Sequence, residues 1–256
     1  MNQENKEYII YREVASIINS LAITYNKVNY YDLFCGTLNI ARHVNMQNRI
    51  CTDKSEITIE MLKAFISDDT HRLGDLISYS LDSMLNNIID DSIETDLRHV
   101  LNMLNMMYKA EENEDDKFTT LDDIIDYNKY IHLERLDKDE ILDISTIKDI
   151  ELDCKDYRQV EIKDNSIVLC YIPYENDNIL SETFGFRSFF NWVKDKSSGD
   201  NIVLILSKDL PDKDFEVIED FSKLIKKSSI DKRNLKLYVT KNSCLIKDTE
   251  DVQYDF

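Results

Sequence analysis

VNYYDLFCGTLNI, residues 28–40, sets a run of β-favouring apolar and aromatic residues directly before a glycine. Val28 to Phe34 reads as a buried strand, Cys35-Gly36-Thr37 as a tight turn, and Leu38 to Val44 as the start of a helix. C-terminal to it, Arg49 to Thr52 reads as a second short strand ending at Asp53, and Ile57 to Ile66 has helical spacing. N-terminal to it, Ile9, Ile10, Val14, Ile17, Ile18, Leu21 and Ile23 predict a helix over 7–26. A strand, glycine turn, helix, strand and terminal acid in this order suits a nucleotide-like ligand. The turn brings backbone N–H groups close to it, and the acid accepts hydrogen bonds from ribose hydroxyls. Gly36 and Asp53 alone, however, fit many α/β proteins.

The remainder of the chain divides in two. Residues 71–144 are helical by pattern, with apolar clusters at Leu73, Leu76, Ile77 and at Val100, Leu101, Leu104, Met107. The methionines Met103, Met106 and Met107 read as core packing, and EENEDD (111–116) as a solvated acidic turn. FTTLDDII begins another helix, with a threonine cap and acids in its first turn. From Ile150 the strand pattern returns: IELDC, VEI, then SIVLCYIPY (166–174), an apolar run suited to a sheet centre. FRSFFNWVKD reads as a helix whose Trp192 faces the core, NIVLILS (201–207) as a buried strand, Phe215 to Lys227 as a helix, and NLKLYVTKN as a closing strand.

Composition narrows the classes. With 43% hydrophobic and 32% charged residues over 256 positions, the chain has an ordinary globular composition. No apolar run reaches membrane-spanning length, and the N-terminus lacks a basic region followed by an apolar core, so a cytoplasmic protein of a bacterium or a phage-infected host is expected. The five cysteines (Cys35, Cys51, Cys154, Cys170, Cys244) form no CxxC pair and have no histidine at ligand spacing; reduced core thiols are expected, and no metal. The net charge of −19 opposes a phosphate backbone, and the single short basic patch lies between Lys223 and Arg233.

Taken in order, these segments resemble the DNA adenine methyltransferases that carry an Asp-Pro-Pro-Tyr motif. YYDLFCGTLNI stands where that family has its cofactor loop, and CTDKSEITIEMLKAF where it has the second strand, its acid and the following helix. HLERLDKDEILDISTIKDIELDCKDYRQVEIKDNSIVLCYIPYEND follows the family's run from a leucine-rich stretch through a short strand and Asp156-Tyr157 into the catalytic tetrapeptide. RSFFNWV, NIVLILSKDLPDKDFEVI and NLKLYVTKN supply the later elements. The resemblance covers nearly the whole chain. It implies a Rossmann-like α/β fold dependent on S-adenosylmethionine, formed by residues 1–70 and 145–256, with 71–144 as a helical insertion in the target-recognition position.

The departures fall on the chemistry. In the family, the first side chain of the tetrapeptide and the next carbonyl accept hydrogen bonds from the adenine amino group, localising its lone pair for attack on the methyl of S-adenosylmethionine. Here the four positions are Tyr171, Ile172, Pro173 and Tyr174. Tyr171 is a neutral phenol that offers no carboxylate and fills space meant for a flipped base; Pro173 and Tyr174, the latter in the family's base-stacking position but here expected to pack in or line an unused pocket, remain. Losing one such acceptor is worth roughly a hundredfold or more in rate.

The cofactor loop keeps Phe34 and Gly36 but has Thr37 and Leu38 where small residues are expected, and Asp53 keeps the ribose position. No counterpart of the family's N-terminal Gly-Lys element stands near Tyr11–Glu13, and Ser207-Lys208-Asp209 replaces its Ser-Glu-Tyr. Residues 71–144 hold 19 acidic against 7 basic side chains, a balance of −12 that repels a duplex.

The expectation is therefore a catalytically inactive member of the fold. It would need no cofactor, S-adenosylmethionine entering only if activity remains, and would work through protein–protein contacts, with DNA binding doubtful. Two other readings follow from the same residues: an acidic mimic of DNA that occupies a nucleic-acid-binding protein, and an active N6-adenine methyltransferase with an altered motif.

Overall fold

The computed structural model describes residues 6–67, 144–172, 184–197, 199–208, 213–223 and 235–246, together with positions 69, 71, 72, 76 and 210. The helical insertion expected over 71–144, its methionine stripe and acidic turn, the basic patch beyond Lys223, and the motif positions Pro173 and Tyr174 lie outside or almost wholly outside these residues.

The seven strands are β1 (Asn29–Asp32), β2 (Asn48–Asp53), β3 (Ile150–Cys154), β4 (Ser166–Tyr171), β5 (Ile202–Ser207), β6 (Phe215–Asp220) and β7 (Lys236–Thr240). They form one sheet in the order β3-β2-β1-β4-β5-β7-β6. Strands β1 to β5 are mutually parallel; β7 runs antiparallel to β5 and to β6. Order and directions together are those of the Rossmann-like α/β methyltransferase fold. The sheet reverses its winding between β1 and β4, which places a ligand crevice at the C-terminal ends of those strands.

Alternation along the central strands fills both faces. Tyr30, Ile167, Leu169, Leu204 and Leu206 point into one cluster, which α1 (Lys6–Thr24) and α2 (Glu56–Ile66) cover with Ile10, Val14, Ile18, Ile59, Met61 and Leu62. Tyr31, Leu33, Val168, Cys170, Val203 and Ile205 point the other way, against Phe189, Phe190 and Val193 of an amphipathic helix at Phe186–Lys196. A strand buried on both faces loses its polar alternation, which is why SIVLCY and IVLILS are continuous apolar runs. Trp192 packs against this second cluster, as expected. Ser55 accepts from the Thr58 N–H and caps α2 directly after β2.

Three local expectations are corrected. Leu38 to Val44 does not begin an α-helix: the crossover from β1 to β2 holds only a 3-10 turn at Ala41–His43. Leu38 is fully buried in the left-handed region, φ +62, which no right-handed helix accommodates. Asn19 of α1 also clamps the segment, donating to the His43 carbonyl at 3.1 Å and accepting from the Asn45 N–H at 2.7 Å.

Phe215–Asp220 is a strand rather than the start of a helix. It pairs from Phe215 opposite Thr240 to Asp220 opposite Lys236, so ladder bonds to β7 override its helical spacing; a 3-10 turn follows at Phe221–Lys223. Val160-Glu161-Ile162 is not a strand, because a capping box at Asp156 and Gln159 turns the chain out of the sheet at Tyr157–Gln159.

The cysteines are free. Cys35, Cys51 and Cys170 are buried, whereas Cys154 is exposed and Cys244 half-buried, a partial correction to the expected core thiols. Among the described residues no group of histidine, cysteine and acid side chains is arranged to hold a metal, and no helix is long and apolar enough to cross a membrane.

Candidate functional site

Parallel pairing brings the ends of β1, β2, β3 and β4 side by side: Asp32 lies level with Cys51 and Leu169, and Asp53 level with Cys154. Phe34, Gly36, Asp53, Asp156 and Tyr171 thus gather along one edge from positions up to 137 residues apart.

The loop after β1 is tied to β2 at two points. The Cys35 N–H donates to the Thr52 carbonyl at 3.1 Å, and the Gly36 N–H donates to Oδ2 of Asp53 at 3.1 Å. The other Asp53 oxygen accepts from the Ser55 N–H at 3.0 Å. Asp53 therefore binds its own chain through both oxygens, and the Gly36 N–H is already donated. Gly36 has φ +46 and the loop continues through left-handed Leu38, so the turn itself requires the glycine. Replacing Asp53 with alanine leaves two backbone donors without acceptors. Urea unfolding is expected to show a loss of about 1–3 kcal/mol.

Phe34 turns away from the loop into an aromatic group on the second face. Its ring centroid lies 5.8 Å from Tyr157, 5.7 Å from Phe184 and 6.0 Å from Phe189. Tyr157 is itself buried and meets Trp192 edge-on at 5.3 Å. The preceding Asp156 holds the Arg158 guanidinium through both oxygens, at 2.7 and 2.9 Å, which lowers its carboxyl pKa. Asp156 and Tyr157 were part of the recognised segment but were not singled out as site residues. Their place at the crevice rim follows from β3 lying beside β2.

On the opposite face, Tyr171 is half-buried against the cluster that contains Cys35 and Leu38, and its ring lies 6.0 Å from that of Tyr11 on α1. The Tyr171 phenol is thus packed toward α1, and Ile172 is buried in the second cluster. Pro173 and Tyr174 lie outside the described residues.

Asp32, which the sequence reading passed over, is the most perturbed acid at this edge. It is 3% exposed on the central strand. Tyr30 Oη donates to its Oδ2 at 3.2 Å, and Oδ1 has no partner at hydrogen-bonding geometry among the described residues. Burial raises its pKa from 3.8 to about 7; the nearby Phe34 N–H and the Tyr30 hydroxyl oppose the shift, and Asp53 adds to it. Its signal in the sequence was an acid set between the apolar and aromatic residues Tyr30, Tyr31, Leu33 and Phe34.

No family model matches the chain. No curated protein matches it either. Among solved structures it is similar to the rRNA methyltransferase aviRa from Streptomyces viridochromogenes, at 10% identity and a TM-score of 0.39, covering 89% of this chain and 84% of that one.

Proposed function

We propose that this chain is a degenerate relative of the DNA adenine methyltransferases that has kept their fold and acts through contacts with another protein rather than by methyl transfer. One observation carries the reading: the groups that would receive the cofactor are already bonded within the chain. Gly36 donates to Asp53, Asp53 also accepts from Ser55, and Asp156 holds Arg158. To bind S-adenosylmethionine, the loop would have to exchange these internal bonds for bonds to the ligand, with the buried Leu38 fixing its course. Tyr171 in the first tetrapeptide position supplies no carboxylate to the adenine amino group.

Titration calorimetry with S-adenosylmethionine tests this. The expected result is no binding up to millimolar ligand and no transfer of a labelled methyl group to DNA. Micromolar affinity, or methyl transfer abolished by changing Tyr174, would make the chain an enzyme with an altered motif and overturn the proposal.

The charge favours one kind of partner. A net −19, with −12 concentrated in residues 71–144, complements a basic surface such as that of a nucleic-acid-binding protein. Such a complex weakens steeply with added salt, and an association indifferent to salt excludes the DNA-mimic form of the proposal.

A further inference from the structure

We infer that Asp32 is a proton-controlled latch on the loop Phe34–Leu38, holding it closed when the carboxyl is neutral and releasing it when the carboxylate forms. The geometry that points to this is a buried acid placed at the root of the loop. Asp32 ends β1, and within six residues the chain passes through Phe34, whose N–H approaches the Asp32 carboxylate, and Gly36, which Asp53 grips. One carboxyl oxygen has a single phenolic donor and the other has none at hydrogen-bonding geometry. A neutral carboxyl tolerates that surrounding; an anion does not, and hydration is its remaining source of stabilisation. The loop brings the Phe34 N–H and the Cys35 thiol to the surroundings of the carboxyl, and in the inferred latch its displacement admits water while the strands on either side stay paired.

The groups that act on Asp32 are Tyr30 on its own strand, Cys51 and Asp53 on β2, Cys35 in the loop and, from the opposite face of the sheet, Cys170 on β4. None of them is a base that could neutralise it. Burial pushes the three thiols and the Tyr30 phenol well above their ordinary values, so they stay neutral near pH 7. His43, on the crossover, is held down to about 4 by burial and by Arg42 and Arg12, so it does not titrate there either.

The sign follows from linkage. The closed state binds the proton more tightly than a hydrated, open state, whose acid titrates near 4. Raising the pH from about 4 to about 7 therefore multiplies the open fraction by close to ten per pH unit, and above the closed-state value it levels off. The latch requires no ligand, so it stands apart from the proposed lack of cofactor binding.

Amide hydrogen exchange on the whole chain, corrected for intrinsic rates, tests it at pH 5, 6, 7 and 8. Protection of the Phe34–Leu38 amides should lie below that of β5 and fall by about tenfold between pH 6 and 8. In Asp32→Asn the loop protection should be flat with pH. Wild-type loop protection that does not change with pH, or that matches β5 at every pH, overturns the inference, as does an Asp32→Asn loop that keeps the same pH dependence. If Asp32→Asn fails to fold, Tyr30→Phe serves instead: removing the one hydroxyl donor should move the opening transition to higher pH, and an unmoved transition counts against the latch.

Discussion

Replacing Asp32 with asparagine should stabilise the protein at pH 8 by as much as about 4 kcal/mol and leave it nearly unchanged near pH 4. The size follows from a carboxyl raised from 3.8 to about 7, at about 1.36 kcal/mol per unit. Between those two values the folded chain holds a proton that the unfolded chain has released. Wild-type stability accordingly falls as pH rises through this window and is level above it. Asparagine nearly matches the shape of the acid without ionising. Urea midpoints should therefore separate the two proteins by about 2–3 kcal/mol more at pH 8 than at pH 5. The other acids of this strongly negative chain titrate in both proteins and cancel in the comparison. An equal gap at the two pH values would show that Asp32 reaches water in the folded state, and the latch would go with it.

Truncating Phe189 to alanine should cost about 3–5 kcal/mol, the range for a buried aromatic removed from a packed core. Phe189 is fully buried at the centre of the second face. Its ring lies 5.3 Å from Tyr157, 5.2 Å from Phe184, 5.8 Å from Phe190 and 6.0 Å from Phe34. The cavity would open beneath Phe34, so protection of the loop amides should fall further than global destabilisation alone requires. Thermal unfolding measures the first effect and amide exchange the second. A change below about 1 kcal/mol would mean that the neighbouring rings close the gap, and the aromatic group would then not be what anchors the Phe34 ring.

Strands β4 and β5 and the helices at 6–24, 56–66 and 186–196 were readable from sequence because each has a local cause. Two-sided burial demands apolar runs, and one-sided burial demands a 3.6-residue stripe. The identity and order of Tyr171, Ile172, Pro173 and Tyr174 after β4 were equally plain. What misled was local pattern in segments whose structure is set from a distance. FEVIED has helical spacing, but β7, some twenty residues on, supplies a ladder that the isolated segment lacks. Leu38 to Val44 has helix-forming residues, but the buried left-handed Leu38 and the clamp from Asn19 hold it in another path.

The chemistry of the crevice belongs to the same class. Sequence alone determined that this chain carries the strand series of a methyltransferase-like fold. That Asp53 accepts from the Gly36 N–H, and that Asp32 is buried with one oxygen unpartnered, were decided by tertiary structure. A hydrogen bond or a desolvation cost depends on which atoms meet, and these atoms meet only once parallel strands align their ends.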